Sequence, residues 1–527
     1  MNRVRTRQAD DLEEMYRRRL GLRMPHDRLA GWLWPLAVTA LAALLRLWDL
    51  DRVRTLIFDE TYYVKGAYTL LRRGVDMAWP DGINPQFEAG HVDTFLPEGD
   101  FVVHPPIGKW VIALGEWLLG ADNPWGWRIS VAILGTISVL MLARITRRLL
   151  GSTLLGTVAG LLLAIDGLHL VHSRTSLLDL ILMFFVLAAF GALLIDRDRF
   201  RAGLARHKAQ ARASGRKLSS LGYAAGWRPW RLLAGVLLGL SCGVKWSGIY
   251  FLAVFGVMTV LWDWWARRAM REKRWFENGL FRDAIPAFFA MVGGAFITYL
   301  ASWSGWFASS AGYARHWAQN SGHSTGFGPL DALISLWHYH VQAYDFSVNL
   351  HSPHPYASSP FGWTLQLRPT NFYWETYDYG EAGCRVARCV SQVDSVGNPL
   401  IWWLGSIALV VCLIAGLIWR DGRALACLSG IVAGWLPWFL FADRTIFTFY
   451  AVVFEPWVIL ALVYSAGLLL GSSTSPGASK ERRLAVGLFL GALLTLTVLV
   501  SAFFWPLWSG DMIPYRLWEW HMWLPGW

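Results

Sequence analysis

The sequence predicts an all-α protein that crosses a membrane many times. Three observations carry that expectation. Apolar runs of about 20 residues recur from end to end, the length a helix needs to span a bilayer. The composition agrees: 55% of the 527 residues are hydrophobic, 16% are charged and 33 are Trp, with a mean hydropathy of +0.35. The basic residues behind the net charge of +11 gather in short loops between apolar runs. That distribution fits orientation by the positive-inside rule and not a nucleic-acid partner.

Taken in order, residues 1–30 carry Arg3, Arg5, Arg7, Arg17, Arg18, Arg19, Arg23 and Arg28. They are expected in the cytoplasm, ahead of one transmembrane domain over 31–527. The first span, 31–50, follows polar residues and lacks a small-residue cleavage site, so it reads as a retained helix. An outer loop over 51–124 follows. Its stretch 105–120 is apolar but short, and fits a helix lying at the interface better than a span.

Further spans are expected at 125–143, 149–168, 177–195, 230–244, 249–262, 284–303, 399–419, 424–441, 446–470 and 484–505. The strongly basic loops all fall on one side of this scheme. They include Arg144, Arg147 and Arg148, the stretch 197–228 with Arg216 and Lys217, and Arg267 to Arg274. With about eleven spans, the N-terminus lies inside and the C-terminus outside a plasma membrane. The second large outer loop, 304–398, is rich in Trp, Tyr, His, Pro and Gly and should fold over the outer face. Cys242, Cys412 and Cys427 fall in apolar runs and read as small buried residues. Cys384 and Cys389 share the outer loop; two cysteines are too few for zinc, and a local disulfide fits an oxidising side.

No glycine-rich phosphate loop, nucleotide-binding fingerprint or fixed-period repeat is present. No cytoplasmic stretch is large enough for a catalytic domain, so chemistry belongs at the membrane. Asp59-Glu60, directly after the first span, is the first candidate. Asp59 fits two roles, a helix N-cap with Glu60 in the first turn, or a base. On the same face fall His104, Lys109, Arg128, Lys245 and Arg444, together with Asp166, His169, His172, Arg174 and Asp179. For any one of these, snorkelling or a local ion pair is a sufficient account. Arg174 and Asp179 are expected to pair with each other, and Asp166, Arg174 and Asp179 suit structural or substrate-positioning roles equally.

A set of cations converging on a carboxylate pair makes an anionic site with a base in it. Moving a sugar from a lipid phosphate to a hydroxyl requires that combination. A carboxylate takes the proton of the attacking hydroxyl. Cations or a divalent metal hold the departing phosphate. Polar and aromatic groups hold the sugar through an oxocarbenium-like transition state. A transporter would place its charges nearer the midplane and in repeated halves.

The stretch Phe58-Asp-Glu-Thr-Tyr-Tyr-Val-Lys65 resembles the signature of the protein O-mannosyltransferases, membrane enzymes of the GT-C fold. Further matching motifs follow in the same order: His104-Pro-Pro-Ile-Gly-Lys109, Arg128-Ile-Ser, Arg174-Thr-Ser-Leu-Leu-Asp179, Gly243-Val-Lys-Trp-Ser-Gly248, the run from His354 to Trp363, Gly397-Asn-Pro-Leu-Ile-Trp-Trp403 and Arg444-Thr-Ile-Phe-Thr-Phe-Tyr450. Each motif alone is weak, but the ordered set covers nearly the whole chain.

The resemblance implies inverting transfer of mannose from a polyprenyl-phosphate-mannose to Ser or Thr of an exported protein. It makes Asp59 the base, with Glu60 orienting it or the acceptor. Arg128, Lys245 and Arg444, then His104 and Lys109, become donor-phosphate ligands, and His354 becomes a structural or positioning residue. The loop 304–398 is too short for the β-trefoil domain of eukaryotic members; Trp-rich helices and an Arg-rich N-terminus suit a bacterial, actinobacterial-type version whose acceptors are delivered as they emerge from the export channel. The rival reading is a GT-C enzyme that moves a lipid-linked sugar onto a lipid or glycan.

Overall fold

The computed structural model describes residues 2–22, 24–215, 222–473 and 479–527. Arg23, Arg216 and Lys217 therefore lie outside the described residues, as do the side chains of Arg3, Arg5 and Arg7. The chain opens with α1 (Asn2–Arg19), whose Tyr16 packs with Leu20, Phe200 and Leu204.

The bundle consists of α2 (Ala30–Leu47), α3 (Glu60–Arg73), α4 (Ile107–Leu119), α5 (Pro124–Leu150), α6 (Thr153–Ile165), α7 (Gly167–Ser173), α8 (Leu178–Ala213), α9 (Pro229–Val244) and α10 (Gly248–Ala269). A bent helical span, Trp275–Ser302, follows. After it come α11 (Gly328–Val348), α12 (Pro399–Leu417), α13 (Gly422–Gly434), α14 (Glu455–Ser473) and α15 (Lys480–Ser509).

Every expected span has a helical counterpart. Among the described residues nine helical segments are long and apolar enough to cross a membrane, and ten if α6 and α7 count as one span. That pair bends by 63° at Asp166. The remaining expected span is α9, which is apolar but short at 16 residues. The apolar stretch expected to lie at the interface forms the 13-residue α4.

The fold is not purely helical. The second long loop contains β1 (Thr370–Asp378) and β2 (Arg388–Ser395), antiparallel, with β3 (Ile513–Pro514) added to β2 from the C-terminal segment. Sequence reading foresaw a folded loop here and missed the strands. Their partners lie far apart in sequence, and their apolar alternation is short. Cys384 and Cys389 are joined to each other across the turn between β1 and β2.

Both long loops, the turn at 435–454 and the C-terminal segment lie at one end of the bundle. Tyr339 Oη donates to Val102 O and accepts from Val102 N, which ties the first loop to α11. At the other end Arg228 and Arg231 share Asp196 and Asp263, and Arg267 binds Asp283 at 2.6 Å. The basic residues of that end are thus partly consumed in a buried ion-pair cluster, where each charge has a partner.

Candidate active site

Helix α3 starts at Glu60, one residue after Asp59. Asp59 occupies the cap position, but its carboxylate makes no capping hydrogen bond. It accepts instead from Tyr63 Oη at 3.2 Å, one helical turn on. The first of the two roles left open for Asp59 is therefore not taken by its side chain, which lines a large cavity.

Glu60 points the other way. It is fully buried and accepts from Arg128 Nε and Nη2, both at 2.8 Å, and from the backbone N–H groups of Ser176 and Ile57. Arg128 spends its remaining donors on the carbonyls of Leu50, Val53 and Thr55. This closed pair corrects two expectations. Arg128 has no free donor for a phosphate, and Glu60 does not face an acceptor. The pair clips the start of α3 onto α5, because a buried carboxylate and guanidinium are stable only when every lone pair and proton is matched.

The expected Arg174–Asp179 pair does not form. Arg174 donates to the carbonyls of Leu45, Arg46, Trp48 and Asp49, closing the end of α2. Asp179, in the first turn of α8, binds Lys245 Nζ at 2.7 Å. Asp166 is fully buried. It caps α7 through Leu168 N and accepts from Asn398 N, holding the bend between α6 and α7. His354 lies against Phe58 and Phe447, off the cavity wall. His169 and His172 are fully buried; His169 Nδ1 meets Arg46 and His172 Nε2 meets Ser395.

The cavity has a volume of about 1650 Å³. Drug-sized ligands need roughly 300–1,000 Å³, so it has room for a lipid-linked sugar and an acceptor together. Asp59, Tyr63, His104, Lys245, Arg444 and Tyr450 all line it. Lys245 Nζ, besides Asp179, sits 5.1 Å from the ring centre of Tyr450. Arg444 differs from the other cations. Among the described residues it forms no ion pair, and its Nε is buried without a hydrogen-bond partner. Lys109 also reaches the cavity, but its Nζ is held by Asp76 at 2.5 Å. That pair passes so close to α3 that a Cβ on Gly66 would meet Asp76 Oδ1 at 2.7 Å.

Two further groups of wall residues differ in character. One is apolar, formed by Ile249, Val292, Phe296 and Trp337, all four of them exposed. The other is polar. There Lys65 donates to Asn84 and Asn84 donates to Thr61, beside Trp79.

The electrostatics suit a base. Burial, helped by the negative charge of Asp179, pushes Asp59 up to about 6, while Lys245 and the Tyr63 hydrogen bond oppose that rise. His104 is held well below its ordinary range by burial and by the charges of Lys245, Lys109 and Arg444. It is therefore neutral at pH 7 and offers a hydrogen bond, not a charge. The rate of any reaction using Asp59 as base should fall as the pH drops through about 6, since protonation removes the base. A kcat profile from pH 4.5 to 8 checks this; a flat profile across pH 6 would exclude Asp59.

The family model described as dolichyl-phosphate-mannose-protein mannosyltransferase matches residues 36–302, and that for the C-terminal four-helix region of protein O-mannosyltransferases matches 333–527. The polyprenol-phosphate-mannose–protein mannosyltransferase of Mycolicibacterium smegmatis is 38% identical over 95% of this chain and 94% of its own length. The chain belongs to the protein O-mannosyltransferase family. The Corynebacterium glutamicum protein of the same name is 34% identical over 90% of this chain and 88% of its own. A chain of the Saccharomyces cerevisiae Pmt1-Pmt2 complex superposes with a TM-score of 0.68 at 15% identity, covering 94% of this chain and 92% of that one. That likeness shows the fold, the GT-C arrangement of these mannosyltransferases.

Sequence reading missed three residues that line this cavity. Tyr63 stands four residues after Asp59, one turn along α3, and that spacing was a usable signal. Tyr450 and Asp76 had none, because only long-range packing brings them to Lys245 and Lys109.

Proposed function

We propose that this protein transfers mannose from a polyprenyl-phosphate-mannose to Ser or Thr hydroxyls of exported proteins, at the outer face of a bacterial plasma membrane. The N-terminus lies in the cytoplasm and the C-terminus outside. One observation carries the reading. A single cavity is lined by Asp59, by Arg444, whose Nε has no hydrogen-bond partner, and by the exposed apolar side chains of Ile249, Val292, Phe296 and Trp337. The named relatives support the donor and the acceptor class.

The prenyl chain lies along the apolar side chains of Ile249, Val292, Phe296 and Trp337, and the acceptor polypeptide enters past Thr61 and Trp79. Asp59 takes the hydroxyl proton as the oxygen attacks the anomeric carbon. The bond from that carbon to the phosphate oxygen breaks, with inversion, and the electron pair leaves with the polyprenyl phosphate. Arg444 is the main phosphate ligand, since its planar fork suits phosphate oxygens. Lys245, held in place by Asp179, adds a point charge, and neutral His104 a hydrogen bond. Lys109 belongs to the cavity wall with Asp76.

Reconstituted protein given labelled polyprenyl-phosphate-mannose and a Ser/Thr-rich peptide should move label into the peptide. Label entering lipid or glycan and never peptide would sink the proposal in favour of the lipid-directed reading. Arg444→Ala should lower kcat/KM for the donor by roughly 10- to 100-fold, the worth of a charged hydrogen bond. Arg444→Lys should recover part of it. Donor titrations indistinguishable from wild type in Arg444→Ala would remove Arg444 from the phosphate site.

A further inference from the structure

Phe58, the residue before Asp59, has a backbone φ of +49°. It stands in a tight turn closed by Glu60 N donating to Ile57 O. Positive φ at the first central position of such a turn ordinarily takes glycine. For a residue with a bulky side chain it costs about 1–2 kcal/mol. Something must hold Phe58 there. Its ring stacks on Phe372 of β1 at 4.9 Å and meets Phe447, Phe449 and His354 edge-on at 5.9, 5.5 and 6.2 Å.

Phe447 and Phe449 sit on the short segment that also carries Arg444 and Tyr450 into the cavity. That segment is tied to the neighbouring loop, where Ser358 N donates to Ile446 O and Thr445 Oγ1 donates to Ser352 O. His354 packs against both Phe58 and Phe447, so its loop closes the cage from outside.

We propose that Phe58 is a positioning residue. Its aromatic cage holds the turn that presents Asp59, and fixes the distance between that carboxylate and the Arg444–Tyr450 segment. The base and the main phosphate ligand, Asp59 and Arg444, lie on segments remote in the chain, and this cage joins the two through ring contacts. The inference rests on the mannosyl-transfer reading above.

Two variants separate backbone from ring. Phe58→Gly relieves the positive φ and removes the ring; Phe58→Tyr keeps the ring. Phe58→Gly should lower kcat by roughly 100-fold, the scale of an ångström-sized misplacement, while the donor dissociation constant changes less than about threefold. The acid limb of its pH profile should also shift, because the carboxylate is no longer held in its enclosed place. Phe58→Tyr should restore kcat to within about threefold of wild type. Phe372→Leu, at the far side of the cage, should lower kcat and combine less than additively with Phe58→Gly.

A wild-type kcat in Phe58→Gly would overturn the proposal. So would a loss of kcat matched by an equal loss of donor affinity with an unmoved acid limb, which would make Phe58 a folding residue only. Failure of the underlying functional reading looks different: the wild-type protein itself would transfer no mannose to peptide.

Discussion

Asp59→Asn should abolish transfer while leaving the protein folded and donor binding intact. A general base supplies roughly 10²- to 10⁴-fold, and asparagine keeps the shape of the side chain without accepting a proton. The neighbours of Asp59 make the expectation specific. Tyr63 can still hydrogen-bond the amide oxygen, and Glu60, which anchors the turn, is untouched. The fold should therefore survive, visible as an unchanged elution profile and melting temperature in detergent. Single-turnover measurement with bound donor isolates the chemical step. Turnover within tenfold of wild type would move the role of base elsewhere, with Asp179 the next carboxylate on the cavity wall.

Arg128→Ala should act on stability, and this reverses what its motif suggested. The substitution leaves Glu60 fully buried without its main partner, and frees the carbonyls of Leu50, Val53 and Thr55. Breaking a buried pair from one side costs about 3–5 kcal/mol, a large share of the stability of most proteins. The expected result is a sharp fall in folded yield and in melting temperature. The fraction that folds should bind donor normally. A tenfold loss of donor affinity at an unchanged melting temperature would instead return Arg128 to the phosphate site. Gly66→Val gives a milder version of the same logic. Its side chain would collide with the Asp76–Lys109 pair and displace the wall of the cavity, so both donor and peptide KM should rise.

A good part of this protein was legible in its sequence. Length and hydropathy of the apolar runs mark the helices, because a span must satisfy its own backbone in lipid and leaves a local, continuous signature. The apolar stretch at 105–120 is likewise helical, as α4. The ordered motifs also mark the family, and they put Asp59, Lys245 and Arg444 among the residues that meet in one cavity.

Charge pairing was not legible. Arg128, Arg174, Lys109, Lys245 and Arg444 look alike as single cations near helix ends. Tertiary structure gives the first to Glu60, the second to the end of α2, the third to Asp76 and the fourth to Asp179, and leaves Arg444 without a carboxylate. The partners stand 33 to 68 positions apart in the Lys109, Lys245 and Arg128 pairs, beyond the reach of any helical spacing rule. The strands β1 to β3 were hidden for the same reason.

Asp59-Glu60 shows the division most plainly. Sequence places two carboxylates side by side at the start of a helix after the first span. It does not say that they point in opposite directions. A single turn with a positive φ at Phe58 and the buried guanidinium of Arg128 send Glu60 into the bundle and Asp59 into the cavity. Hydropathy is a property of neighbours in the chain, so the sequence determines where helices and loops lie. Which charge faces substrate depends on contacts between segments remote in the chain, and only the packed structure decides it.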